Sequence, residues 1–172
     1  MIHTDYIREM QRGFVTPEQV PALHKVSHNA WELHGSPTEE NVVAGFVEHA
    51  NAVARGVRIV IGKLGRDGFD AMVEGAHFHS GIIDDIRAEN VDTDVQPTLL
   101  TVSTADELRK LINSKEAERA PGGDRKKWRE SIPAMLTIQD FLISDAHAHG
   151  IRVAVADEWR SQWDSAKSHY SI

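Results

Sequence analysis

Glu74-Gly75-Ala76-His77-Phe78-His79-Ser80-Gly81 follows directly on the apolar run Ala71-Met72-Val73. A short apolar run that arrives at an acid and a glycine is the pattern of a buried strand ending at a site on the rim of a sheet. A carboxylate there can move a proton or hold a cation, although an ordinary strand closing on a surface acid gives the same string. Gly75 leaves room where a ligand or a second backbone has to come close. His77 and His79, two apart in an extended segment, point the same way. His24 and His28, four apart, would share one helix face at a metal-chelating spacing. Neither pair has a third ligand close by in sequence, and His147 and His149 fall in a helical stretch where residues two apart diverge. The ten histidines therefore read mainly as surface groups, with a metal-dependent hydrolase as the minor alternative.

A second candidate for chemistry is cationic. Ser114 to Trp128 carries Lys115, Arg119, Arg125, Lys126 and Lys127 around Pro121-Gly122-Gly123, with Arg129 just beyond. The stretch is either a solvated loop or a flap whose guanidinium groups neutralise phosphate oxygens and whose glycines permit closure. It stands out because the chain is acidic: 19 Lys and Arg against 26 Asp and Glu give a net charge of −7. That balance argues against a surface built for nucleic acid. The sequence contains no cysteine, which excludes disulfides, thiolate nucleophiles and thiolate-bound zinc. No apolar run approaches the roughly 18 residues of a membrane span and no signal-peptide core is present, so a cytoplasmic protein without a membrane partner is the expectation. The length of 172 residues fits one domain with a sizeable core.

These groups need elements to hold them. Tyr6-Ile7-Arg8-Glu9-Met10 reads as the start of a helix capped by Thr4 or Asp5, preceded by a strand-like beginning. Pro21 then opens a second helix, with Leu23, Val26, Ala30 and Leu33 on one face and Gly35 at its end. Ser36-Pro37-Thr38-Glu39 looks like a capping box with Ser36 as cap. The apolar phase from Val43 through Leu64 predicts a long helix to about Lys63, with a strand at Val57–Ile61 as the alternative. A strand over Asp70–Val73, a short helix from Gly81, a strand over Thr98–Val102 and a helix capped by Thr104 and Glu107 follow. Next come a helix from Ile132 to near Gly150, started or kinked by Pro133, a last strand at Ile151–Val155, and a tail helix bearing Trp159, Trp163 and Ala166. Strands alternating with helices imply an α/β fold with a mainly parallel sheet.

In this order the chain resembles the kinase domain of the 2-phosphoglycerate kinase family, within the P-loop small-molecule kinases that include zeta-toxin-like phosphotransferases. The matching residues are Thr4-Asp5-Tyr6-Ile7-Arg8-Glu9, Pro21-Ala22-Leu23-His24, Gly45-Phe46, Val73-Glu74-Gly75-Ala76-His77, and Ile138-Gln139-Asp140-Phe141-Leu142 with Ala146 and Gly150-Ile151. The resemblance implies one three-layer domain over residues 1–172, with a lid at 114–129, that transfers phosphate from ATP with Mg2+ to a hydroxyl of an anionic metabolite such as 2-phosphoglycerate. Asp5 would orient or deprotonate that hydroxyl, Arg8 would hold an anionic group, and Glu74 would organise magnesium. His24 and His77 would face the small-molecule substrate, and Arg119 and Arg125 would cover the moving phosphoryl group. A homo-oligomer is compatible with this reading.

The family's glycine-rich loop G-x-x-x-x-G-K-[ST] has no counterpart in these residues; in Gly56 to Leu64 the spacing to Gly62-Lys63 is one residue too long and Leu64 replaces Ser or Thr. Kinases of this architecture place the strand bearing that loop between the strand ending at Glu74 and the one ending at Val102. The expectations, in order, are a start at an internal methionine, a remnant that no longer turns over, and a sheet closed across the gap. The competing reading is a noncatalytic binding or structural protein on the same scaffold.

Overall fold

The computed structural model describes residues 1–117 and 128–156. Arg119, Arg125, most of the basic stretch and the tail helix with Trp159, Trp163 and Ala166 lie outside them. The chain gathers into two compact units, Met1–Pro97 and Thr98 onward.

The first unit begins with β1, Ile2–His3, which passes without a loop into α1, Thr4–Arg12. The cap is not Thr4 or Asp5: both are helical, and the N-cap is His3, whose side chain makes no capping bond. Instead of one helix, residues 21–33 form two 3-10 segments, Pro21–His24 and Ser27–Leu33, separated by extended backbone at Lys25 and Val26. Tertiary contacts override the helical spacing here. Arg8 Nη1 donates to the Leu23 and Lys25 carbonyls at 3.2 and 2.8 Å, satisfying acceptors that a continuous helix would have used. The break also takes His24 and His28 off a common helical face.

The long helix α2, Glu39–Asp67, is one continuous element, so the strand alternative at Val57–Ile61 falls. Its cap is Thr38 rather than Ser36: Thr38 Oγ1 accepts from the Asn41 amide at 3.3 Å, while the Ser36 carbonyl takes the Asn41 side chain at 2.9 Å. It ends at Gly68, φ +70°, a left-handed C-cap that glycine adopts without strain. Phe46, Ala50, Val53 and Val57 are completely buried along it. Spaced 4, 3 and 4 apart, they form the apolar stripe that a 3.6-residue period lays along one face. A Cβ on Gly45 would come within 2.4 Å of the Ala30 backbone, so glycine is what lets the 3-10 segment lie on α2. Then come β2, Val73–Glu74, and α3, Ser80–Glu89, with Ile82, Ile83 and Ile86 buried. β1 and β2 pair in parallel, Ile2 opposite Val73 and His3 opposite Glu74.

In the second unit β3, Thr98–Thr101, leads to α4, Ala105–Ala117. The expected capping box is present: the Glu107 amide donates to Thr104 Oγ1 at 3.2 Å and the Thr104 amide to Glu107 Oε2 at 3.2 Å. A 3-10 turn, Arg129–Ser131, opens α5, Ile132–Ala148, in whose first turn Pro133 sits. β4, Arg152–Val155, pairs in parallel with β3 from Thr98 opposite Arg152 to Thr101 opposite Val155. Gln139 on α5 brackets the end of β3, accepting from the Val102 amide at 2.9 Å and donating to its carbonyl at 3.1 Å.

The fold is thus helices with parallel strands, as the alternation implied. Among the described residues the strands form two separate pairs rather than one continuous sheet. Pairing on one side only accounts for the shortness and exposure of β2 and β3: Glu74 is exposed, as is Met72 just before β2 at 48%, and Leu100 in β3 is 50% exposed, where the sequence predicts buried strands. No helix among the described residues is long and apolar enough to cross a membrane.

Candidate functional site

The parallel register brings the ends of β1 and β2 to one side, so that the first turn of α1 and the segment after Glu74 lie together. Thr4, fully buried, joins them: its Oγ1 lies 2.6 Å from His77 Nδ1. Gly75 makes the approach feasible. Its φ is +149°, and a Cβ there would fall 1.7 Å from Thr4 Oγ1, so glycine answers here to a close side chain and to backbone that other residues rarely adopt.

Beneath Thr4, His77 Nε2 lies 3.1 Å from His49 Nε2, and His49 Nδ1 lies 2.7 Å from the Ala22 carbonyl oxygen. The rings are tilted by 46° with centroids 5.0 Å apart. Burial pushes the His49 imidazole below its ordinary value; the bond to Ala22 opposes this, Arg8 adds to it, and Asp5 opposes it.

Asp5 is 70% exposed on its side chain; its Oδ1 lies 3.9 Å from both Arg8 Nε and His77 Nε2. Asp5, Arg8 and His77 therefore meet at the head of α1. The Arg8 guanidinium is nearly buried on the Leu23 and Lys25 carbonyls, and burial is the main cause of its lowered pKa, partly offset by Asp5. Glu74 stands at the neighbouring strand end, half exposed, with Oε1 2.6 Å from His3 Nδ1. His24 is on the 3-10 turn and its Nε2 donates to the Val15 carbonyl at 3.1 Å, which ties down the connector after α1.

The other histidine pairs separate. His77 is buried, whereas His79 Nε2 meets Asn51 Oδ1 at 3.0 Å. His149 Nδ1 donates to the Asp145 carbonyl at 2.8 Å. Among the described residues no group of three or more His, Asp or Glu is arranged to hold a metal ion. A magnesium ion asks for less, since it commonly keeps its waters and uses one or two carboxylates plus substrate phosphates. Glu74, half exposed with one oxygen on His3, fits such water-mediated holding. Sequence reasoning passed over His3 and His49. His49 was readable: it stands three residues after Phe46 and next to Ala50 on the apolar face of α2, where a polar ring needs partners.

Relatives of the chain are kinases by name. It is 30% identical over 156 residues to the 2-phosphoglycerate kinase of Pyrococcus furiosus, which covers 89% of this chain and 49% of that protein. It is 30% identical over 155 residues to the 2-phosphoglycerate kinase of Methanopyrus kandleri, covering 89% and 46%. A mevalonate-3-phosphate 5-kinase of Thermoplasma acidophilum is 26% identical over 159 residues, covering 92% and 76%. The chain spans about half the length of the 2-phosphoglycerate kinases it matches. No protein-family model and no solved structure matches it.

Proposed function

From its relation to the 2-phosphoglycerate kinases over most of its length, we propose that this chain forms the acceptor side of a small-molecule kinase that phosphorylates a hydroxyl of an already anionic metabolite. ATP is the proposed donor and 2-phosphoglycerate the first acceptor to try, because the related enzymes are named for phosphorylated hydroxy compounds. What carries the reading is this likeness together with the order of parts at the strand ends, where Asp5 is open to solvent and Glu74 lies on the adjacent parallel strand.

In the proposed reaction the substrate hydroxyl oxygen bonds to the terminal phosphorus of ATP as the bond to the ADP oxygen breaks, and the hydroxyl proton passes to Asp5. Phosphoryl transfer asks the protein mostly for alignment and charge stabilisation. Magnesium, when bound, neutralises phosphate charge, and Glu74 is the residue to hold it through water. Arg8 fixes the turn behind Asp5 and lends positive charge. Arg119 and Arg125 are assigned to the transferring phosphoryl group and His24 to the substrate side by the resemblance; His77, assigned to the same side, is buried with both ring nitrogens on Thr4 and His49 and acts from behind the site.

The test is phosphate transfer from magnesium ATP to 2-phosphoglycerate by the complete protein that carries these residues, measured with Asp5→Asn alongside. Transfer lost in the variant with nucleotide affinity retained supports the acceptor role; equal loss of both contradicts it. Metabolite binding with no nucleotide binding would favour the noncatalytic scaffold.

A further inference from the structure

Thr4, His77 and His49 are 0%, 2% and 0% exposed, and their polar atoms form one chain. Its links measure 2.6 Å from Thr4 Oγ1 to His77 Nδ1, 3.1 Å between the two Nε2 atoms, and 2.7 Å from His49 Nδ1 to the Ala22 oxygen. A carbonyl only accepts, so His49 Nδ1 carries a hydrogen. Neutral His49 then presents a lone pair at Nε2, and the link between the rings requires the hydrogen of His77 Nε2. His77 Nδ1 is left to accept from the Thr4 hydroxyl. One placement of hydrogens satisfies every link, running from Thr4 through His77 and His49 to Ala22.

The same contact limits the charge the pair can carry. Two imidazolium rings would set two N–H groups against each other across 3.1 Å, with two like charges in a buried site. A single extra proton fits. Whichever ring then holds the central hydrogen, His77 Nδ1 becomes a donor and the Thr4 hydroxyl turns to accept. Charged groups act on the pair from α1: Asp5 lies 3.9 Å from His77 Nε2 and favours the cation, and Arg8 opposes it at His49. The 3-10 turn contributes the Ala22 carbonyl, and the segment after β2 contributes His77 itself.

We propose that His49 and His77 are one acid–base unit that takes up a single proton between them, and that this proton reverses the Thr4 hydrogen bond and sets a positive charge 3.9 Å from the Asp5 carboxylate. His49 and His77 are on this account positioning residues. The shared proton stands apart from the kinase reading, and only the effect on turnover rests on it.

The test is an imidazole 15N NMR titration of the whole chain from about pH 8 to about pH 5, the range in which histidine ionises. The two rings are expected to move together, with one midpoint below that of the exposed histidines and a combined change of one protonation. In His49→Gln, His77 is expected to titrate alone at a different midpoint. Separate and complete protonation of both rings, or no change in either before the protein unfolds, would overturn the proposal. So would zinc at neutral pH shifting both rings at once, since the two lone pairs would then converge on a cation. The wild-type titration decides even if the variant does not fold. For turnover, the pH profile is expected to share the pair's midpoint and to shift with it in His49→Gln. A profile that ignores both removes the influence of the pair on Asp5, whereas absence of any transfer counts against the kinase reading and leaves the titration to judge the pair.

Discussion

At the scale of single residues, the head of α1 depends on side chains that meet in very little space. Gly75→Ala puts a methyl group 1.7 Å from Thr4 Oγ1 at a backbone φ of +149°; a loss of about 3 kcal/mol or more is expected in chemical unfolding, because overpacking and backbone strain add. His49 gives the protein a pH dependence of definite sign. Its pKa is lowered by burial, so the unfolded chain binds the proton more readily than the folded one. The stability this contributes is complete above the ordinary imidazole value of about 6.5 and declines as pH falls below it. Unfolding midpoints measured at about pH 7.5 and 5.5 should show that fall, and His49→Gln should flatten it. Asp5, exposed and 3.9 Å from its cationic neighbour, is free of such structural duty: Asp5→Asn should change stability by less than about 1 kcal/mol.

At the scale of elements, the sequence announces helices well where local chemistry decides them and poorly where a distant residue does. The unbroken apolar phase of α2 and the Thr104–Glu107 box are local signals, and both elements form. The helix expected after Pro21 was lost to Arg8, which lies 15 and 17 residues away from the carbonyls it bonds. Arg8→Ala should therefore cost about 2 kcal/mol through stranded carbonyls, read by thermal unfolding. Capping at α2 shows a register error of two residues: Ser and Thr both make good caps, and the choice fell to the one whose hydroxyl reaches the Asn41 amide. Thr38→Ala should lose about 1 kcal/mol and Ser36→Ala much less. Strand positions were legible and strand lengths were not, because length depends on how many neighbours a strand has.

For the molecule as a whole, the order of strands and helices was enough to predict parallel pairing, and β1 with β2 and β3 with β4 both pair that way. The division of the described strands into two separate pairs was not foreseeable in the same manner, since sheet composition is a property of the assembled chain. Site residues follow the same division. Glu74 stood out as an acid at a strand end and Asp5 entered through the family resemblance, whereas the His3 and His49 contacts arise only when segments about 70 and 30 residues apart are brought together. Likeness to named kinases over 89% of the chain gives the site its proposed chemistry. The direct measurement is transfer of labelled phosphate from ATP to 2-phosphoglycerate by the complete protein that carries these residues, as wild type and as Asp5→Asn. The account predicts a labelled bisphosphorylated product from the wild type and none from the variant at equal nucleotide affinity. Equal turnover by both proteins would contradict it.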